Sequence, residues 1–210
     1  MDVYAAINTR RTIRDFDSRI IEINIIEKII DAGLKAPTND HMSNWEFVII
    51  QDKKVKAELL KIIPEGYPST KPEMEKMLDS WGLTDILQRN MYLDSVPKQY
   101  EMLYNAGCLI LPFFKTWSDI LKPETLISLA PLASIWLCIE NMLLAATSEG
   151  IFGVTKIPVG NEPKHIKNVL CHPENYVLPC YIGLGYPAKD AIINKKKPVS
   201  ARNRIHIDKW

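Results

Sequence analysis

The stretch NTRRTIRDF, residues Asn8–Phe16, sets Arg10, Arg11 and Arg14 around the hydroxyl of Thr12. Guanidiniums this close repel one another unless water or an anion separates them, so the segment asks either for an anionic partner or for solvent alone. The chain offers no broad positive field for it to merge into, since 26 Lys and Arg stand against 25 Asp and Glu, a formal net charge of +1. That balance lacks the electropositive face of a nucleic-acid binder, and no nucleic-acid partner is expected.

Working outward, Asp2 caps a short helix carrying Val3, Ala6 and Ile7 on one face, which ends at the arginines. A second helix is expected from about Glu22 to Leu34, with Ile25, Ile26, Ile29 and Ile30 at helical spacing and Gly33 with Pro37 as its stop. After the polar loop APTNDHMSN, the aromatic and β-branched run WEFVII predicts a strand over Trp45–Ile50, with Trp45 in the core. Asp52 then opens an amphipathic helix through Val55, Leu59 and Ile63. From Gly66 to Gln99 the period weakens, as in a variable excursion packed over the main body; Met77, Trp81 and Tyr92 there either cover a ligand or pack on one another.

GCLILPFF, Gly107–Phe114, reads as a buried strand, GIFGVTKIPV as a short strand and loop, and NEPKHIKNVL as a helix with Pro163 in its first turn. A final strand is expected over Tyr176–Pro187, ended by its glycines. Between these, Leu126–Thr147 is long and apolar enough for a membrane span, but it contains Pro131, Glu140 and Asn141. The expectation is a central helix whose second face is covered by another subunit, with no membrane partner.

With 210 residues, 47% of them hydrophobic, the chain fits a single α+β or α/β domain over 1–210. Cys108, Cys138, Cys171 and Cys180 form no CxxC pair, so reduced thiols and no metal site are expected. The N-terminal stretch has no basic leader followed by an apolar run, and a cytoplasmic location is the expectation. GxGxxG, GxxxxGK[ST], HExxH and GxSxG motifs are all missing from the sequence, as is a regularly spaced carboxylate pair.

The order of segments nevertheless resembles one family along nearly the whole chain, the FMN-dependent nitroreductases. RRTIRDF is similar to that family's RRS(V/I)RxF, APTNDHMSNWEFVII to its APS..N.QPW.F.VV, and IENMLLAATSEGIFGV to its QNLLLAA..LGLG helix. VGNEPKHIKNVLCHPENYVLPCYIGLGYP resembles GGFDPEKVKELLGIPEDY.PVALIALGYP, and the tail KKKPVSARNRIHIDKW resembles KxRKPLEEVVHWDKW. The resemblance implies a nitroreductase-like α+β fold, a central, mostly antiparallel sheet flanked by helices, in a homodimer with FMN at each of two interface sites.

Carried over by position, the resemblance gives Arg10 to the FMN phosphate, Arg11 and Thr12 to phosphate and ribityl oxygens, and Arg14 to the flavin pyrimidine. Guanidinium suits phosphate through its planar fork, and a cation near the pyrimidine carbonyl favours the negative charge of the reduced ring. Pro37, Thr38 and Asn39 fall in the second site segment. There His41, Ser43 and Asn44 replace the family's Asn, Gln and Pro, and His41 either hydrogen-bonds the flavin from the second subunit or is a solvated turn residue. Val159 and Gly160 match positions whose backbone N–H groups approach flavin N5, although Gly160 alone also suits a positive-φ turn. Lys196, with Lys195 beside it, matches a phosphate-binding cation of the tail, for which Arg202 and Arg204 are substitutes.

The implied activity is a ping-pong transfer: NADH or NADPH gives hydride to flavin N5, and a small aromatic acceptor, a nitroaromatic or a quinone, takes the electrons. No side chain is expected as a catalytic acid or base. Relatives of this fold that reductively dehalogenate aromatics or fragment flavin are the alternatives, together with a flavin-binding regulatory protein without turnover.

Overall fold

CLILPFF is apolar at every position because the sheet it anchors is covered on both faces. A computed structural model of the chain describes residues 1–39, 41–66 and 68–210. In it, β1 (Trp45–Ile50) pairs antiparallel with β2 (Cys108–Lys115), β2 with β5 (Tyr181–Gly185), and β5 with β3 (Phe152–Lys156), while β4 (Tyr176–Val177) pairs with the far end of β2. Cys108, Ile110 and Phe114 of β2 join the cluster of α2 (Ile23–Gly33) and α7 (Ala130–Ser148). Leu109, Leu111 and Phe113 join the opposite cluster, which α3 (Lys53–Leu60), α6 (Gln99–Tyr104) and α8 (Glu162–Leu170) complete. Alternating side chains of one strand therefore hold both helical layers, at roughly 1.5–3 kcal/mol per fully buried aliphatic side chain. The expected α+β fold with an antiparallel sheet flanked by helices is the observed one.

WEFVII forms β1 with the expected bounds, and Asp2 and Asp52 cap α1 (Val3–Thr9) and α3 as their positions require. Besides the helix opened by Asp52, which ends at Leu60 and leaves Ile63 to a separate 3-10 turn, three expectations need correction. Gly33 does not stop α2 but is its last helical residue, buried where a Cβ would lie 2.6 Å from Met142 Cγ and 2.9 Å from Cys138 Sγ. Its task is the close approach of α2 to α7. The stretch from Leu126 is not one helix either: Leu126–Leu129 is a 3-10 turn, and α7 begins at Ala130 with Pro131 in its first turn, where proline lacks only a donor the helix would not use. The third correction is that Tyr176–Pro187 is two strands. Pro179 lies in the break between β4 and β5, and Pro112, which removes a donor from β2, sits in the stretch of β2 that neither of them covers.

The excursion contains α4 (Lys71–Ser80), opened by a Thr70–Glu73 capping box, and α5 (Ile86–Ser95), capped by Asp85; its Tyr67 lies outside the described residues. Met74, Leu78 and Val96 form its own small core, against which Met77 and Tyr92 pack. Trp81 meets Tyr92 edge to face at 5.9 Å and stays half exposed.

Gly33→Ala should therefore destabilise the chain by about 1–3 kcal/mol, because the methyl group lands on side chains of a packed helix pair. Urea denaturation checks this; an unchanged midpoint would mean that α2 and α7 separate without cost.

Candidate functional site

The arginine segment is placed by hydrogen bonding at both of its ends. Arg10 closes α1, its N–H bonding to the Ala6 carbonyl at 2.8 Å, and the chain then runs extended beside the sheet. Thr12 forms a parallel bridge with Gly153 of β3 and Phe16 an antiparallel bridge with Pro187. Arg11 turns back on the end of α1, donating from Nη1 to the carbonyls of Asn8 (2.7 Å) and Arg10 (2.8 Å), while Arg10 Nε lies 3.2 Å from Glu140 Oε1.

The tail brings in a third cation. Partial desolvation first, and then the charges of Arg10 and Arg11, hold Lys196 below the ordinary lysine range, with Glu140 opposing them. Cations from opposite ends of the chain are thus near enough to feel one another's charge, with Arg10 in contact with Glu140, Arg11 turned onto the end of α1 and Lys196 exposed beside them. Solvated side chains would spread apart, so the arrangement suits an anion better than water alone. Lys195 is exposed, and Lys197 turns to Asp85 at 3.2 Å. Arg202 and Arg204 are exposed on the tail.

Arg14 is set apart from this group. Its side chain is 11% exposed, 4.0 Å from Asp94 Oδ2, and its Nε is buried without a hydrogen-bond partner. Burial holds the guanidinium below its usual pKa, while Asp94 and Asp15 work in the other direction. Lys98 ties those two carboxylates together, at 2.7 Å from Asp94 and 2.9 Å from Asp15, and Asn194 donates to Asp94 at 2.9 Å. Arg14 lines a cavity of about 420 Å³ with Phe16, Lys98 and Glu101.

Val159 and Gly160 lie on the loop between β3 and α8, Gly160 at φ +54°, in the left-handed region that glycine tolerates. They line a larger, mostly apolar cavity of about 820 Å³ together with Leu132 and Trp136 of α7. Leu132, Trp136 and Glu140 share one helix face, so the cavity wall continues about 6 Å along α7 to the partner of Arg10.

Pro37, Thr38, Asn39 and His41 stand elsewhere. No hydrogen bond or ion pair among the described residues joins them to the arginines or to Val159. Thr38 Oγ1 is buried with no partner, Asn39 Oδ1 is 3.5 Å from Ser134 Oγ on α7, and His41 is exposed at φ +58°. Sequence reasoning missed Asp94 and Glu140, the acidic partners of Arg14 and Arg10, and Trp136, which lines the larger cavity. Only Glu140 left a signal, as an acid where the resembling helix QNLLLAA has an amide.

Two substitutions should move anion binding in opposite directions. Arg10→Ala is expected to weaken binding of a phosphate monoester by about 10- to 100-fold with an unchanged far-UV spectrum, and Glu140→Gln to strengthen it by about 3- to 10-fold. Titration calorimetry reads both. An anion raises the depressed pKa of Lys196, so affinity should be full below its free-state pKa and fall as pH climbs from there, starting below the ordinary 10.5. An affinity that holds through that range would remove Lys196 from the site.

A sequence model of the nitroreductase family matches residues 7–186. Iodotyrosine deiodinase 1 of Pongo abelii is 27% identical over 205 residues, 94% of this chain and 66% of the relative, so the chain spans just under two thirds of that relative's length. A solved nitroreductase with bound FMN from Bacteroides fragilis NCTC 9343 is 25% identical with a TM-score of 0.68, each chain covered in full. A BluB-like flavoprotein from Clostridium difficile 630, 21% identical and also fully covered both ways, shares the fold with a TM-score of 0.72. With the family match running from α1 through β5, and the same architecture recurring in full-length structures, the chain belongs to the nitroreductase family.

Proposed function

We propose that the chain is an FMN-dependent NAD(P)H oxidoreductase acting on small, flat, electron-poor aromatic acceptors of the nitroaromatic or quinone type. The observation that carries this reading is the shared face of α7, on which a cluster of three cations adjoins an apolar cavity edged by the Val159–Gly160 loop. The fit to FMN is tested by polar atoms left unsatisfied: the buried Arg14 Nε and Thr38 Oγ1 both lack partners. Arg10, Arg11 and Lys196 would hold the phosphate, Thr12 the ribityl chain, Arg14 the pyrimidine edge, and the Val159 and Gly160 backbone the face of N5. When bound, FMN supplies the hydride-accepting N5 and returns two electrons to an acceptor.

The chain's own work is to bind, orient and exclude water. Leu132 and Trp136 give the cavity an apolar wall, and aliphatic or aromatic walls favour planar ligands. Pro37, Thr38, Asn39 and His41 complete the site from a second copy of the chain, in our reading. Support for a homodimer comes from apolar side chains left in solvent on two helices that pack against each other, Val3, Tyr4 and Ile7 of α1 and Leu137 of α7. Reductive dehalogenation is the second reading, favoured by the relatedness to iodotyrosine deiodinase 1.

The purified chain should show the visible absorbance of oxidised flavin and sediment at about twice 24.0 kDa, with an interface above roughly 2,000 Å². Reduction with NADH and with NADPH, followed by reoxidation with quinones, nitroaromatics and halogenated phenols, assigns the acceptor class. A colourless protein that takes up no FMN would overturn the proposal.

A further inference from the structure

The loop that carries Val159 and Gly160 is held from behind by charge. Lys156, the last residue of β3, and Glu162, the first of α8, bracket it, and both are buried, at 5% and 2% exposure. Lys156 Nζ donates to both carboxylate oxygens of Glu162 at 2.7 Å and to the Ile157 carbonyl, the first of the loop, at 3.3 Å. The Tyr181 ring lies 5.4 Å from the ammonium, and its buried hydroxyl forms no well-shaped hydrogen bond.

A pair like this is a poor way to gain stability, because stripping water from two ions costs about what their attraction returns and apolar residues of the same volume would serve as well. What the pair supplies that apolar packing does not is direction. Each partner sits on a fixed element: β3 is registered against β5 along its length, and α8 is anchored by Ile166 in the core. A two-pronged contact between them sets how far apart the loop's ends stand. Inside that span Pro158, the left-handed Gly160 and the turn from the Glu162 N–H to the Val159 carbonyl at 3.0 Å leave the backbone few other paths. Glu162 also brings its negative charge to the first turn of α8, where the helix dipole favours it.

We propose that Lys156 and Glu162 are positioning residues, a buried brace that fixes the backbone of 157–161 against the 820 Å³ cavity and so aims its N–H groups at whatever occupies it. Naming that occupant as FMN rests on the proposed function; the coupling of the brace to the loop does not.

The test uses Lys156→Met and the double variant Lys156→Met/Glu162→Leu in the FMN-loaded chain. Lys156→Met should speed amide exchange of 157–161 by about tenfold or more and slow flavin reduction by NADPH about tenfold, with the FMN Kd within about threefold of native because the phosphate cluster is untouched. In the double variant the unpaired buried charge is gone, so Tm should return to near native while loop exchange stays fast and reduction stays slow. If exchange and reduction recover together with Tm, the pair is filling only and the proposal fails; it fails equally if Lys156→Met leaves the loop's exchange unchanged. Should Lys156→Met not fold, the double variant alone decides by the same readouts. A native chain that takes up no FMN would overturn the cofactor reading, and loop exchange in the two variants would still decide for or against the brace.

Discussion

The contact at Gly33 governs the placement of α7, the helix that walls the larger cavity. Because α2 has no side chain there, α7 comes within reach of its backbone, and the register of that helix pair fixes which face of α7 is spent in the core. Ile135, Cys138, Ile139 and Met142 go inward. Leu132, Trp136 and Glu140 are thereby left at the margin, where the first two wall the large cavity and the third meets Arg10. A bulkier residue at position 33 would turn or lift the helix and take all three with it.

Electrostatics then works against packing at the ligand end of that face. Crowding cations without an equal number of acids raises the energy of the ligand-free chain, and Glu140 is the carboxylate that meets Arg10 and opposes the charges acting on Lys196. Arg14 differs: with Lys98 it meets the carboxylates of Asp94 and Asp15 in equal number, yet its buried Nε still has no hydrogen-bond partner. Strain of this electrostatic kind is released by an anion or a carbonyl oxygen. It is stored in a framework of apolar helix contacts that does not depend on it.

Local signals in the sequence carried most of the fold. Capping by Asp2 and Asp52 and the aromatic and β-branched content of WEFVII involve residues within a turn or a strand of one another, and they are legible because no distant partner competes. The failures share the opposite character. Gly33 reads as a terminator until α7 is known to lie against it, and Tyr176–Pro187 reads as one strand until Pro112 on β2 is set across from the break. At the candidate site the arginine motif is visible, yet its partners Glu140 and Asp94 lie in segments that periodicity alone marks as core helix and excursion. The Lys156–Glu162 pair spans neither a helical nor a strand repeat, so nothing in its spacing announces a contact.

The bridge between Thr12 and Gly153 has an effect beyond ligand placement. β3 is the last strand of its side of the sheet, and an uncovered last strand offers a row of unpaired donors and acceptors to any other chain. The extended segment that begins after Arg11 lies over that row, with the Ile13 N–H bonded to the Gly153 carbonyl at 3.3 Å. The segment that carries the arginines therefore also covers part of the sheet's edge against intermolecular strand pairing. Loosening it to admit a larger ligand would open a template for aggregation, so the tolerance of this segment to change is set by solubility as much as by affinity.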